Sequence, residues 1–185
     1  MRKKTKALLL VLCAIALVVT TVFSTMAYLT SKDEVQNTFT VGNVNITLDE
    51  QDVNTSSRVK ENTYHIVPGS VCAKDPTVHV KANSEDSWIF VQVNDQLATI
   101  EAAETVADQI TANGWIGLEN GVYYKEYTKA ETTTDLLVFD TVTIKSDIEN
   151  DELQKYADKT ITVKAYAIQK AGFETAAKAW AEVSK

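Results

Sequence analysis

Side chains that could carry out covalent or metal chemistry are scarce in this chain. It has two histidines, His65 and His79, and two cysteines, Cys13 and Cys72. The sequence contains no H-E-x-x-H motif, and no cysteine pair has the spacing of a zinc site. The cysteine and histidine counts would allow a nucleophilic cysteine–histidine pair, but nothing in the sequence around Cys72 supports one. We therefore expect no catalytic residue, no metal site and no cofactor, and we interpret His65 as structural.

Carboxylates and aromatic side chains are the other groups that could form a binding site. The acidic stretches 85–86 and 149–152 could bind calcium weakly, but we interpret them as solvated loops. The aromatic side chains could line a carbohydrate site. They fall on strand and helix positions that a β-sandwich must fill, so we expect them in the core instead. They are Trp88, Trp115, Trp180, Tyr123, Tyr124, Tyr127 and Tyr166.

The elements that must position these side chains are mostly strands. Alternating or continuous apolar residues predict about eight of them, at 44–48, 63–67, 77–82, 88–93, 115–118, 122–127, 136–144 and 160–169. The run 88–93 is almost entirely apolar, which predicts a central strand covered on both faces. Asn120-Gly121 predicts a tight hairpin. His79 falls on the polar face of its strand, where we expect it to be exposed.

Helical periodicity is confined to two short segments. Apolar residues recur at helical spacing over 97–110, before the stop signal Asn113-Gly114, and again over 174–183. One further helical turn is expected near Leu153 and Tyr156. Helices this short cannot cover a parallel sheet. We therefore predict a mainly β fold over 41–185, an antiparallel β-sandwich with two short helices.

The amino-terminal 27 residues have the pattern of a secretory signal. Arg2, Lys3, Lys4 and Lys6 precede an apolar run over 7–23, and small residues follow up to Ala27. As a helix this run would span roughly 25 Å, short of the ~30 Å hydrocarbon core of a bilayer. We predict a signal helix over 1–27 that is cut between Ala27 and Tyr28. An uncleaved signal anchor is the alternative, and it would be the only contact with a membrane.

The charge of the exported part excludes several partners. The whole chain has a net charge of −7, and removal of residues 1–27 would take away four bases and no acid, leaving about −11. Such a surface repels nucleic acid and anionic lipid, so we expect binding to neither. Cys72 would be the one remaining cysteine. We interpret it as a small core residue, with an intermolecular disulfide or a reactive thiol as the alternatives.

The segment directly behind the predicted cut can itself form a strand. Residues 28–40 place the apolar side chains of Tyr28, Leu29, Val35 and Phe39 on a polar background. Cleavage would give this segment a free end. We expect it to act as a donor strand that contacts a second molecule, with the folded domain at 41–185.

Several motifs resemble the exported proteins of the TasA/camelysin family. The sharpest is A-Y-L-T-S followed by N-T-F-T-V-G-N-V-N-I-T-L. Looser ones are V-P-G-S-V, K-D-P-T-V-H-V-K-A-N-S-E-D-S-W-I-F-V and Y-A-I-Q-K-A-G-F-E-T-A-A-K-A-W. The resemblance implies a jelly-roll domain, cleavage at Ala27/Tyr28 by a dedicated signal peptidase of the SipW type, and secretion to the extracellular matrix or cell surface. It also implies fibres in which the freed strand of one subunit completes the sheet of the next subunit, which is another copy of this chain or a related matrix subunit.

Two other functions are left open by the sequence. The family has been classed with metallopeptidases through camelysin, so a secreted peptidase of that kind is one alternative. No recognisable zinc motif is present, and we do not transfer that activity. A monomeric adhesin or binding module on the cell surface is the other alternative.

Overall fold

Residues 43–185 are described by a computed structural model, and in that part of the chain the strands pair in antiparallel sheets. The strands are β1 (Ile46–Gln51), β2 (Arg58–Val59), β3 (Val71–Ala73), β4 (Thr77–Val80), β5 (Ser87–Asp95), β6 (Ile116–Gly117), β7 (Val122–Tyr127), β8 (Thr134–Leu137), β9 (Thr141–Thr143) and β10 (Ile161–Gln169). The helices are α1 (Val106–Ala112), α2 (Asn150–Leu153), which continues as a 3-10 turn (Gln154–Tyr156), and α3 (Ala176–Val183). No helix among these residues is long and apolar enough to cross a membrane.

Two four-stranded sheets form the framework, and a short ribbon of β3 and β9 lies beside them. One sheet has the order β2-β1-β4-β8 and the other β10-β5-β7-β6. Val78 and Val80 of the first sheet share a core cluster with Ile89 and Val91 of the second, so the sheets face each other. The structure confirms the predicted mainly β, jelly-roll-like antiparallel sandwich. The predicted signal helix lies outside the described residues.

Strand β5 is central, as its apolar run predicts. Ile89 and Val91 pack into the core between the sheets, whereas Trp88 and Phe90 pack into a second cluster on the opposite face. Helix α3 covers that face, with the Trp180 ring 5.3 Å from the Phe90 ring. Because both faces of β5 are covered, both require apolar side chains, and apolar and polar residues do not alternate along this stretch of sequence. The aromatic side chains named above belong to these two clusters.

The Asn-Gly hairpin forms as predicted. Asn120 and Gly121 both have positive φ, 57° and 72°, which is the backbone of a type I′ turn between β6 and β7. Gly121 is needed for a second reason. A Cβ there would lie 2.4 Å from the Val93 carbonyl oxygen, and Val93 N–H donates to the Gly121 oxygen at 2.8 Å.

The helix predicted over 97–110 is wrong in its first half. Helix α1 begins only at Val106, where Thr105 and Asp108 form a capping box. Ahead of it, the backbone of Glu101 bridges Ile144, and Ala102 N–H donates to the Thr143 oxygen at 2.8 Å. Backbone contacts with Thr143 and Ile144, which are distant in the sequence, therefore outweigh the local helical propensity of this segment.

Two strand predictions also differ from the structure. The run 136–144 is divided between β8 and β9, which belong to different sheets. The side chain of Gln109 accepts from Asp140 N–H and Thr141 N–H, both at 3.1 Å, and so stabilises the break. Residues 63–67 form no strand, whereas 58–59 form β2 and 71–73 form β3, and no strand is predicted at either place. The helical turn near Leu153 and the carboxy-terminal helix α3 are confirmed.

Candidate functional site

The residues predicted to take part in processing and assembly lie outside the described part of the chain. Ala27 and Tyr28 at the predicted cut, and Tyr28, Leu29, Val35 and Phe39 of the predicted donor strand, all precede residue 43. These predictions stay predictions. The structure does describe the surface that a donor strand would need, which is a sheet edge with free backbone groups.

Strand β10 offers such an edge. All nine of its residues pair with β5, from Ile161 opposite Asp95 to Gln169 opposite Ser87. Within residues 43–185 no strand pairs with the other side of β10. The remaining sheet edges of this region are much shorter, since β8 has four residues and β6 has two.

Hydrogen bonds at the two ends of β10 show which backbone groups face outward. Gln96 N–H donates to the Thr160 oxygen at 3.2 Å, and Lys170 N–H donates to the Asp86 oxygen at 2.7 Å. In an antiparallel pair, alternate residues exchange bonds with the partner strand. Even-numbered residues of β10 are therefore bonded to β5. The odd-numbered residues direct their N–H and C=O groups to the open edge, and these are Ile161, Val163, Ala165, Ala167 and Gln169.

Side chains along β10 also suit a further strand. Ile161, Val163 and Ala165 pack against the core between the sheets, and Ile168 packs against the second cluster. Lys164 is the single charged residue of the strand. Long edge strands are normally protected by charges, proline or bulges, because an open edge templates pairing with another chain. This edge has little of that protection.

Strand β1 lies beside β10 on the same side of the sandwich and is also partly open. Lys81 N–H donates to the Asn45 oxygen at 2.8 Å, so odd-numbered residues of β1 are bonded to β4. Strand β2 pairs with only Glu50 and Gln51. Among the described residues, nothing pairs with the outward groups of Ile46 and Leu48. Among the described residues, the two neighbouring strands β1 and β10 therefore both carry unpaired backbone groups.

His79 is not exposed as predicted. Its side chain is 18% exposed, and its two ring nitrogens lie 2.6 Å from Asp135 Oδ1 and 2.9 Å from Asp49 Oδ1. Partial burial lowers the pKa of His79, but the bonds and charges of the two carboxylates outweigh it and raise the pKa. Since Asp49, His79 and Asp135 lie on β1, β4 and β8, the histidine links three strands. The sequence does not predict this structural role, which it assigns to His65 instead. His65 is exposed.

Cys72 lies on β3, half-buried against the main core. Burial raises the pKa of its thiol, which lowers the fraction of reactive thiolate. These properties agree with the interpretation of Cys72 as a small core residue.

A buried carboxylate, Glu101, is the residue that sequence reasoning missed. It is only 4% exposed, and its Oε2 accepts from Val106 N–H at 3.0 Å. Burial raises the pKa of Glu101 to about 7, and the neighbouring charge of Asp95 adds to the rise. The helical pattern places this residue on a polar, exposed face. Only its pairing with Ile144 takes it into the interior.

Comparison of the chain with protein-family models, with curated proteins and with solved structures found no match. The resemblance to the TasA/camelysin family rests on the quoted motifs alone.

Proposed function

We propose that this protein is an exported structural subunit of a bacterial extracellular or biofilm matrix fibre, which assembles by strand addition after its signal peptide is removed. The observation that carries the proposal is the edge of β10. It is nine residues long and, within residues 43–185, bonded on one side only. The proposal assigns the protein no catalytic activity.

The predicted donor segment fits this edge in length and pattern. Side chains alternate along a strand, so Leu29, Val35 and Phe39, all odd-numbered, would share one face. That face would extend the layer in which Ile161, Val163 and Ala165 pack against the core. Backbone bonds would hold the added strand, and the apolar side chains would provide most of its specificity, as in other cases of strand addition.

Processing would control when assembly begins. Before cleavage, the signal peptide would hold residues 28–40 at the membrane. Cleavage by a dedicated signal peptidase of the SipW type would free them at the cell surface. The partner would be another copy of this chain or a related matrix subunit.

The test replaces two apolar side chains of the donor segment. A Leu29→Asp, Phe39→Asp variant is expected to be secreted and folded but to remain monomeric, because two carboxylates cannot be buried without partners. Electron microscopy and light scattering of the secreted protein measure the outcome.

A charge-matched control places the same substitutions on the opposite face of the segment. The Thr30→Asp, Thr38→Asp variant is expected to form fibres. Normal fibres from the Leu29→Asp, Phe39→Asp variant would rule out the proposed role of the segment.

A further inference from the structure

Three polar side chains from different segments of the chain meet near the end of β1. Glu50 lies on that strand, Asn62 follows β2, and Lys74 directly follows β3. One oxygen of the Glu50 carboxylate, Oε1, accepts from Asn62 Nδ2 at 3.0 Å, and the other, Oε2, accepts from Lys74 Nζ. The carboxylate therefore bridges an amine and a carboxamide. We call these three residues the amine–amide cluster.

The amine of this cluster is held in a place with little access to water. The side chains of Lys74 and Glu50 are 14% and 6% exposed, and the Tyr64 ring lies over Lys74 Nζ, 5.6 Å away. An ion pair that has lost most of its hydration is costly. Transfer of one proton from Lys74 to Glu50 turns the pair into a neutral amine and a carboxylic acid. The neutral amine is a nucleophile, whereas the ammonium group is not.

The carboxamide of Asn62 is held as the matching electrophile. Its Oδ1 accepts from Val53 N–H at 3.1 Å, and its Nδ2 donates to the Gln51 oxygen at 2.8 Å as well as to Glu50. These partners fix which end of the amide is oxygen and which is nitrogen. A backbone N–H on the carbonyl oxygen stabilises the negative charge that develops there when a nucleophile adds to the carbon. The nitrogen, which would have to leave, lies against the group that can protonate it.

From this arrangement we infer that Lys74 and Asn62 form an intramolecular isopeptide bond, with Glu50 as the catalytic residue. Lys74 Nζ adds to Asn62 Cγ, the Cγ–Nδ2 bond breaks, and the nitrogen leaves as ammonium. Of the three protons on the lysine ammonium, one stays on the new amide and two pass through Glu50 to the leaving nitrogen. Atoms and charges balance, and the step needs no oxidant, reductant or other reactant. The inference is independent of the proposed fibre role.

The bond would give the domain a covalent tie that a disulfide could not supply after processing. Cys72 would then be the one remaining cysteine, and an intramolecular disulfide needs two. An amide between residues 62 and 74 closes a ring that contains β3. Closing a ring removes conformational freedom from the unfolded chain, as a disulfide does.

Mass spectrometry of the purified full-length protein tests the inference. The intact mass is expected to be lower than that of the sequence by one ammonia. In a tryptic digest, cleavage after Lys74 should be lost, so that residues 61–81 are recovered as one peptide that lacks one ammonia. Fragmentation of this peptide should release no ions from single breaks between Asn62 and Lys74, because the ring holds both sides together.

Two variants separate bond formation from folding. Lys74→Arg keeps a cation beside Glu50 but removes the nucleophilic amine. Glu50→Gln keeps an acceptor for Asn62 Nδ2 but removes the proton carrier. Both should fold, which circular dichroism checks, and both should have the full mass of their sequences. Lys129→Arg, which changes an exposed lysine paired with Glu85, is the matched control and should still lack one ammonia.

The alternative outcomes are distinct in the same measurements. A parent protein of full mass would overturn the inference and identify the cluster as a buried ion pair only. A loss of ammonia that maps to Asn120-Gly121, or one that persists in Lys74→Arg, would overturn it as well. Retention of the crosslink in a folded Glu50→Gln variant would overturn the catalytic role of Glu50.

Discussion

At the scale of single residues, His79 and Glu101 respond differently to their surroundings. His79 lies between two carboxylates that stabilise its charged form, and its pKa is raised. Glu101 is buried with a second acid nearby, so its neutral form is favoured and its pKa is also raised. The first arrangement joins three strands of one sheet. The second places a buried carboxyl group, whose neutral form is favoured, between Val106 N–H and Asp95.

The stability of the protein is expected to depend on pH through Glu101. Its pKa in the folded state, about 7, is above the value of 4.5 expected when unfolded. The folded state therefore binds more protons between these values, and the free energy of unfolding falls as pH rises through this window. Glu101→Gln should remove that fall and raise the free energy of unfolding at pH 8 by about 2 kcal/mol.

Urea denaturation of both proteins at pH 5 and pH 8 measures this effect. His79 acts in the same direction, since a raised histidine pKa gives stability that is lost as pH rises through it. A His79→Asn variant separates the two contributions. An identical pH dependence in the parent and in Glu101→Gln would contradict the prediction.

At the scale of elements, the β6–β7 hairpin depends on one glycine. Gly121→Ala should lower the free energy of unfolding by more than about 2 kcal/mol, because it combines a positive φ with a Cβ 2.4 Å from the Val93 oxygen. Gly172→Ala is the matched control. It also has positive φ, 95°, but nothing lies within 4 Å of the added Cβ, so only about 1 kcal/mol should be lost. Equal losses in urea denaturation would show that the contact with β5 is unimportant.

The edge of β10 can be tested with proline, which removes one backbone N–H. Ala165 directs its N–H to the open edge, so Ala165→Pro should preserve pairing with β5 and block addition of a strand. Lys164 directs its N–H toward β5, so Lys164→Pro should cost about 3 kcal/mol of stability or more. Thermal denaturation and electron microscopy report the two effects. Fibres from a folded Ala165→Pro variant would show that the accepting edge is elsewhere.

At the scale of the whole molecule, the proposed assembly is open-ended. A donor segment that precedes β1 and an accepting edge on β10 are different surfaces, so each subunit can give a strand to one neighbour and receive one from another. Such head-to-tail contacts produce filaments when the rotation between subunits does not close a ring. A charge of about −11 after processing would keep the subunits soluble until the donor segment of one pairs with the β10 edge of another.

Local sequence determined much of the described fold. Alternation placed the ends of β1, β4 and β10 to within three residues, the apolar run identified β5 as central, and Asn120-Gly121 defined the hairpin. These features depend on neighbours a few residues apart. They are therefore visible in the sequence before any distant contact is known.

Tertiary contacts decided the remainder. Pairing with Ile144 replaced the first half of the predicted helix and buried Glu101, and the side chain of Gln109 helped to divide one predicted strand between two sheets. The open edge of β10 is a property of strand order, which no local pattern contains. The sequence by itself determined most of the segments that form strands and how charged the surface is, because these follow from side-chain type and spacing. Only the tertiary structure decided which edge stays open and which carboxylate loses its water, because both depend on residues far apart in the chain.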